Sequence, residues 1–370
     1  MSRPTISVLA ALGCLGACAS PAVPTAGPPP ATVAPAPAAP RAYLYVLSTA
    51  GGAWSLRHRA VGADGRLGAE SPDDPLPIDG DVVGLLADGP RARLHVIGAG
   101  TPSPLVTFTA DHATGDLDVS ATAALLDEIT TAALAPRGDV LYGAIRRTQQ
   151  IDAYRLSPDA APTRLAGAPF EKDSVYRTLR GLAVAPSGRV LLAHGFLAYK
   201  SHGLITFSVD AAGALAQQDQ VALYDAGSNI GISADERFVF ISQPRDWRAF
   251  TLFPDGLLQE AAHSPAPAPL SYWIASGPSR HWMIGAGGGE VSALAVEDGV
   301  PRVHEAAAAV SIGYPRFAAS RGGFVYVAGD DAVAVLRMDE IRGTLELVQE
   351  ERAPERRTVR FAALVEIPAP

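Results

Sequence analysis

Gly181-Leu-Ala-Val-Ala-Pro-Ser-Gly188 runs into Arg189-Val-Leu-Leu-Ala193, then Leu204-Ile-Thr-Phe-Ser-Val209, then Ala212-Gly-Ala-Leu215. The order is a strand of small residues, a tight turn, an apolar run, an alternating strand and a glycine turn. Its apolar element recurs along the chain as Leu44-Tyr-Val, Leu94-His-Val, Val140-Leu-Tyr, Val190-Leu-Leu, Phe238-Val-Phe, Trp282-Met-Ile and Phe324-Val-Tyr. Successive starts lie 42 to 50 residues apart, the length a four-stranded propeller blade needs. The closing turn recurs at Gly65-Arg-Leu67, Gly115-Asp-Leu117, Gly256-Leu-Leu258 and Gly343-Thr-Leu345. No stretch keeps a 3.6-residue apolar period long enough to read as a helix. Small residues suit the first strand of each unit, because innermost strands crowd the axis of a propeller.

The reading is therefore all-β, a seven-bladed β-propeller with four-stranded blades. The first apolar run, at Ala42 to Leu47, has no small-residue strand before it. Val359-Arg-Phe-Ala-Ala-Leu364 is such a strand with no blade after it, so the C-terminal strand is expected to join the first blade and close the ring. Closure removes the open sheet edges that invite aggregation. A linear stack, or several small β domains, would leave that last strand without a role.

Composition agrees. The 370 residues include 36 Gly and 31 Pro, with 48% apolar and 18% charged residues, which supports frequent turns and a large core and excludes low-complexity disorder and coiled coil for the bulk of the chain. A net charge of −8 argues against a surface built to hold nucleic acid or anionic lipid. The 30 positive charges are all Arg except Lys172 and Lys200, and Asn229 is the sole asparagine.

Arg3 followed by the apolar stretch Ile6 to Ala17 reads as an export signal too short to span a bilayer. It ends in Leu15-Gly-Ala-Cys18, which resembles the bacterial lipoprotein box. The expected organisation is a signal peptide over 1–17, a lipidated Cys18 with a Pro/Ala-rich tether over 18–40, and the propeller over 41–370. An ordinary secretory cut after Ala17 or Ala19 is the alternative, and it too sends the chain out of the cytoplasm. Cys14 would be discarded, leaving no disulfide. Ala19 directly after Cys18 points to the outer membrane.

Pro315-Arg-Phe-Ala-Ala-Ser-Arg-Gly-Gly-Phe-Val-Tyr-Val327, Ala332-Val-Ala-Val-Leu-Arg-Met338 and Gly343-Thr-Leu345 together resemble a blade of the lactonase family of seven-bladed propellers, which includes bacterial 6-phosphogluconolactonases and propeller-type muconate cycloisomerases. Val106 to Leu117 and Asn229 to Ser242 are similar to that family too. The resemblance implies a ligand pocket at one mouth of the central channel, lined by the starts of the inner strands and the loops after the apolar strands. It also implies an acidic residue just before Ile230-Gly-Ile-Ser, where this chain has Asn229, and a His pair where it has Thr178-Leu-Arg-Gly181. In place of the family's aspartate-bearing turn stands His194-Gly-Phe-Leu-Ala-Tyr-Lys-Ser-His202.

What remains at that mouth is basic: Arg146, Arg147, Arg177, Arg180, Lys200, Arg245, Arg316 and Arg360. Guanidinium forks suit a carboxylate or phosphate, or else pair with loop acids such as Asp173, Asp246, Asp330 and Glu355. Tyr176, Trp247, Tyr272, Trp273 and Tyr314 either stack on a sugar ring or pack at strand ends. No metal or cofactor is expected, because His194 and His202 stand eight apart without a metal-binding pattern. Gly285-Ala-Gly-Gly-Gly289 reads as a hairpin turn, and no Gly-x-Ser-x-Gly elbow occurs.

The leading expectation is a monomeric, lipid-anchored envelope propeller that does not bind nucleic acid. It would act as a binding module for a small anionic ligand or an envelope protein, through Arg177, Arg180, Lys200, Asn229, Arg245, Tyr272, Trp273, Tyr314 and Arg316. The alternative is a hydrolase opening a sugar lactone, with an Arg at the oxyanion and His194 or His202 handling the proton. The anchor has a direct test. Cys18→Ser should move the protein from the membrane fraction to the soluble fraction and abolish metabolic labelling by palmitate; a variant that stays labelled would remove Cys18 as the anchor.

Overall fold

The computed structural model describes residues 41–157, 160–171, 176–197, 202–223, 229–243, 246–265, 271–273, 282–287, 289–297, 300–303, 308–339, 341–353 and 357–367. The expected signal peptide and tether, with Cys18, lie outside them.

Seven antiparallel sheets form seven blades. Every apolar run read from the sequence is the second strand of a blade: Arg41–Ala50, Arg93–Gly98, Val140–Ile145, Val190–Leu197, Phe238–Ser242, Trp282–Gly287 and Phe324–Gly329. The inner strands are Thr358–Ile367 in blade 1, Val82–Asp88, Ile129–Leu134, Tyr176–Val184, Asn229–Ile232, Ser271–Trp273 and Pro315–Arg321 in blade 7. Each inner strand meets the inner strands of both neighbouring blades, so the seven make an unbroken ring.

Thr358–Ile367 completes blade 1, as the unmatched C-terminal strand requires. It pairs with Arg41–Ala50 from Arg41↔Ile367 to Thr49↔Thr358, with a bulge between Leu47↔Phe361 and Ser48↔Val359 that leaves Arg360 without a register partner. The two ends of the propeller thus share one sheet, and blade 1 gains the inner strand that the other six blades have.

The core is divided among the blade interfaces. Tyr45, Leu47 and Leu56 of blade 1 pack on Leu94, Val96 and Phe108 of blade 2. Tyr142 and Ala153 of blade 3 pack on Leu191 and Ile205 of blade 4. Trp282 and Ile284 of blade 6 pack on Val325 and Leu336 of blade 7, and Tyr326 and Val335 of blade 7 pack on Leu44 and Ala362 of blade 1.

A recurrent latch crosses these interfaces. Tyr45 Oη donates to the carbonyl of Gly115 at 2.9 Å, Tyr142 Oη to Gly213 at 3.0 Å and Tyr326 Oη to Gly65 at 3.0 Å. In blade 4 Thr206 Oγ1 reaches Gly256 at 2.5 Å, and in blade 6 the Trp282 ring lies against Gly343. Each acceptor or contact is the closing glycine turn of the following blade, so the motif visible in sequence is the socket for its neighbour's side chain. Burial raises the phenol pKa of Tyr45, Tyr142 and Tyr326, the last to about 12, which keeps each protonated as a donor. The sockets require glycine twice over: Gly343 has φ +71°, and a Cβ there would stand 2.3 Å from the Trp282 ring.

Two substitutions measure the latch. Tyr45→Phe removes one hydrogen bond whose carbonyl acceptor stays buried and should cost about 1 kcal/mol in urea unfolding. Gly343→Ala combines backbone strain with a collision and should cost roughly 2–4 kcal/mol. Equal, negligible losses would show that the turns are spacers and not sockets.

Candidate active site at the channel mouth

The starts of the inner strands and the loops after the second strands gather at one end of the propeller, the mouth expected from the sequence. A cavity of about 510 Å³ opens there among blades 7, 1, 2 and 3. Its polar wall is Arg316 from the inner strand of blade 7, Arg360 from that of blade 1, Asp81 and Glu128 at the starts of those of blades 2 and 3, and Arg146 from the loop after the second strand of blade 3. Backbone bonds fix these starts: Ala99 N donates to Asp81 O at 2.6 Å and Arg146 N to Glu128 O at 2.8 Å. Trp54 and Phe361 form the apolar side, with Trp54 Nε1 held by Gly80 O at 2.9 Å.

The three guanidiniums differ in what occupies them. Arg316 forks onto Asp330 at 2.6 and 3.3 Å and lies 4.8 Å over the ring of Tyr314, which is itself half exposed. Arg146 pairs with Glu128 at 2.6 Å. Arg360 is exposed and, among the described residues, has neither an ion pair nor a hydrogen bond, and the same holds for the Asp81 carboxylate. Three arginines and two carboxylates line the cavity, and Asp330 offsets the charge of Arg316, so Arg360 and Asp81 are the charges there without a partner among the described residues. A free guanidinium facing the same space as a free carboxylate can hold a developing oxyanion while the carboxylate moves a proton.

Of the residues singled out in the sequence, Arg316 lines this cavity together with Arg146 and Arg360. Arg316 has the loop-acid partner, Asp330, that sequence offered as the alternative to a ligand. Arg180 is exposed on the inner strand of blade 4, has no ion pair among the described residues and does not line the cavity. Lys200 and Arg245 lie outside the described residues, as do the side chains of Arg177, Asn229, Tyr272 and Trp273; the backbone of Asn229 opens the inner strand of blade 5, in register with Ser242. Trp247 is buried packing in blade 5.

His194 and His202 share one face of blade 4, opposite Leu204 and Phe196 respectively. Neither lines the mouth cavity. The His194 ring covers Gly181, where a Cβ would stand 2.3 Å from Nε2, and only 3% of the residue is exposed. The His202 ring meets Phe196 edge-on at 4.7 Å. Both are packed into the blade, which removes them from a proton-transfer role in this cavity. Asp81 and Glu128 were not visible as site residues, since one acid before a strand is common; their place immediately ahead of Val82 and Ile129 is the signal that marks them.

No family model and no curated protein matches the chain. Solved structures do. A periplasmic gluconolactonase from Pseudomonas aeruginosa superposes with a TM-score of 0.66 at 16% identity, covering 89% of this chain and 100% of that one. A candidate 6-phosphogluconolactonase from Bacteroides uniformis ATCC 8492 gives a TM-score of 0.69 at 15% identity over 88% and 99% of the two chains. A protein from Lactobacillus plantarum gives 0.68 at 14% over 89% and 100%. At these identities the likeness shows the fold: this chain has the architecture of the 6-phosphogluconolactonase-like seven-bladed propellers, as the blade motifs indicated.

Burial, with Arg180 and His202 nearby, lowers the pKa of His194 from 6.5 to about 4. The unfolded chain then takes up a proton that the folded chain refuses, so this residue destabilises the fold as pH falls from 6.5 to 4. Across that range the penalty grows to roughly 3 kcal/mol. Urea unfolding at pH 7.5 and pH 4.5 should show His194→Leu losing less stability on acidification than the unaltered protein; an equal loss would mean His194 is not buried in the neutral form.

Proposed function

We propose that the protein is a lactone hydrolase acting at this mouth, and that the Arg-lined cavity is its active site. The observation that carries the reading is that the Arg360 guanidinium and the Asp81 carboxylate, neither of which has a partner among the described residues, share one cavity. The shared architecture with a gluconolactonase supports it. In this scheme Asp81 takes a proton from a water molecule as that water attacks the lactone carbonyl, and Arg360 holds the oxyanion of the tetrahedral intermediate. The ring C–O bond then breaks, the departing alkoxide recovers the proton from Asp81, and the product is a hydroxy acid. The Arg360 guanidinium favours the anion formed. Trp54 and Phe361 supply an apolar surface for the sugar ring. Under the same proposal Cys18 tethers the propeller in the cell envelope, at the outer membrane, where exported sugar lactones would meet it.

The test is hydrolysis of glucono-1,5-lactone, followed by acid release and corrected for the spontaneous rate. Asp81→Asn and Arg360→Ala should each lower kcat/KM by about 10²-fold or more, with melting temperatures unchanged. Protein that is inert towards aldonolactones, yet stabilised thermally by sugar acids, would instead make the mouth a binding site for anions, as the sequence first suggested.

A further inference from the structure

A second cavity, of about 490 Å³, lies between blades 2 and 3, at an interface that has no tyrosine–glycine latch. His95 stands two residues into the second strand of blade 2, as Tyr142 and Tyr326 do in theirs. It faces blade 3 as those tyrosines face the following blade. Blade 3 in turn carries Leu156-Ser-Pro-Asp-Ala-Ala-Pro-Thr163, with no glycine turn to receive a donor. With the shorter side chain and no socket opposite it, no hydrogen bond from His95 crosses to blade 3 among the described residues.

Two buried polar atoms of this cleft are unpartnered among the described residues. His95 is 3% exposed; its Nδ1 meets Thr107 Oγ1 at 2.9 Å, while Nε2 is buried with no hydrogen bond. Asp88 is 2% exposed; its Oδ2 takes Arg91 Nη1 at 3.1 Å, while Oδ1 is buried with no hydrogen bond. Blades 3 and 4 have Ala135 and Ala185 at the position of Asp88, each donating its N–H five residues ahead, to Val140 and Val190. Asp88 lies opposite Arg93, also five residues ahead. A buried carboxylate where blades 3 and 4 use alanine and blade 5 uses Ser233 is costly unless both its oxygens are paired. Arg93 also lines the cleft and has no ion pair among the described residues.

Burial and the two neighbouring guanidiniums lower the pKa of His95 to about 4, so it is neutral near pH 7. Arg91, Arg93 and Asp88 then leave one net positive charge. Asp88 Oδ1 can only accept hydrogen bonds, so its partner must be a donor. Leu105 and Leu156 provide apolar walls. We propose that this cleft binds a small hydroxylated monocarboxylic acid, its carboxylate on Arg93 and its hydroxyls on Asp88 Oδ1 and His95 Nε2. The ligand would do across blades 2 and 3 what a tyrosine does at the latched interfaces. The inference stands apart from the mouth chemistry, since the two sites share no lining residue.

Isothermal titration of the protein with D-gluconate tests it, with D-glucose and butyrate as probes lacking the carboxylate and the hydroxyls. Gluconate should bind, both comparison probes should bind at least about tenfold more weakly, and Asp88→Ala and Arg93→Gln should each weaken gluconate at least about tenfold, while Arg360→Ala at the mouth leaves this binding unchanged. Asp88→Ala installs the residue that blades 3 and 4 already use, and Arg93 is only partly buried, so folding is retained in at least one variant; the melting temperature checks it. Absence of gluconate binding, binding indifferent to both cleft variants, or loss on Arg360→Ala alone would overturn the proposal. The last outcome would assign the ligand to the mouth and leave the cleft as an interface defect.

Discussion

The pairing of Thr358–Ile367 with Arg41–Ala50 is the constraint on which the molecule depends. Seven similar blades could stack in a line, and only the sharing of one sheet between the two ends of the propeller turns the stack into a ring. Closure fixes the inner strands around a channel, and the channel gives the starts of those strands a common mouth. Arg360 reaches that mouth because the strand that closes the ring carries it; Arg316 reaches it from the preceding blade. The proposed catalytic pair thus spans the join, with Arg360 on the closing strand and Asp81 on the blade that follows.

Much of this was legible in the amino-acid order, for a physical reason. A repeat puts the same demand on each unit, so strand runs such as Val190-Leu-Leu and turns such as Gly343-Thr-Leu345 recur, and recurrence is visible without coordinates. The function of those turns was not. That Gly115 receives Tyr45, or Gly343 the face of Trp282, depends on contacts between blades about 60 to 70 residues apart, which spacing alone does not reveal. The mouth shows the same limit. Its arginines stand out on an acidic chain, but whether a given guanidinium is occupied depends on side-chain geometry: Arg316 is taken by Asp330, whereas Arg360 has no partner among the described residues. His194 and His202 drew attention because they stand in the segment that replaces the family's aspartate-bearing turn, and their rings pack over Gly181 and against Phe196.

Departures from the repeat carry the chemistry. Where a blade keeps the tyrosine and its neighbour keeps the glycine turn, a hydrogen bond ties the two blades together, as Tyr142 does to Gly213. Where blade 2 substitutes His95 and Asp88 and blade 3 lacks the socket, a polar cleft opens. The acids at the mouth likewise belong to particular blades, Asp81 and Glu128, and not to the repeat. A symmetric scaffold supplies rigidity, and the positions that break its symmetry supply recognition.

Native-state hydrogen exchange tests the closure most directly. If the first and last strands form one cooperative unit with the rest, the amides of Ala42–Leu47 and Ala362–Ile367 should exchange only through global unfolding, with the same free energy as those of Leu191–His194 in blade 4. Exchange of the closing strands at a distinctly lower free energy, while blade 4 stays protected, would mean that the ring opens at its join and that the seal described here does not hold the molecule together.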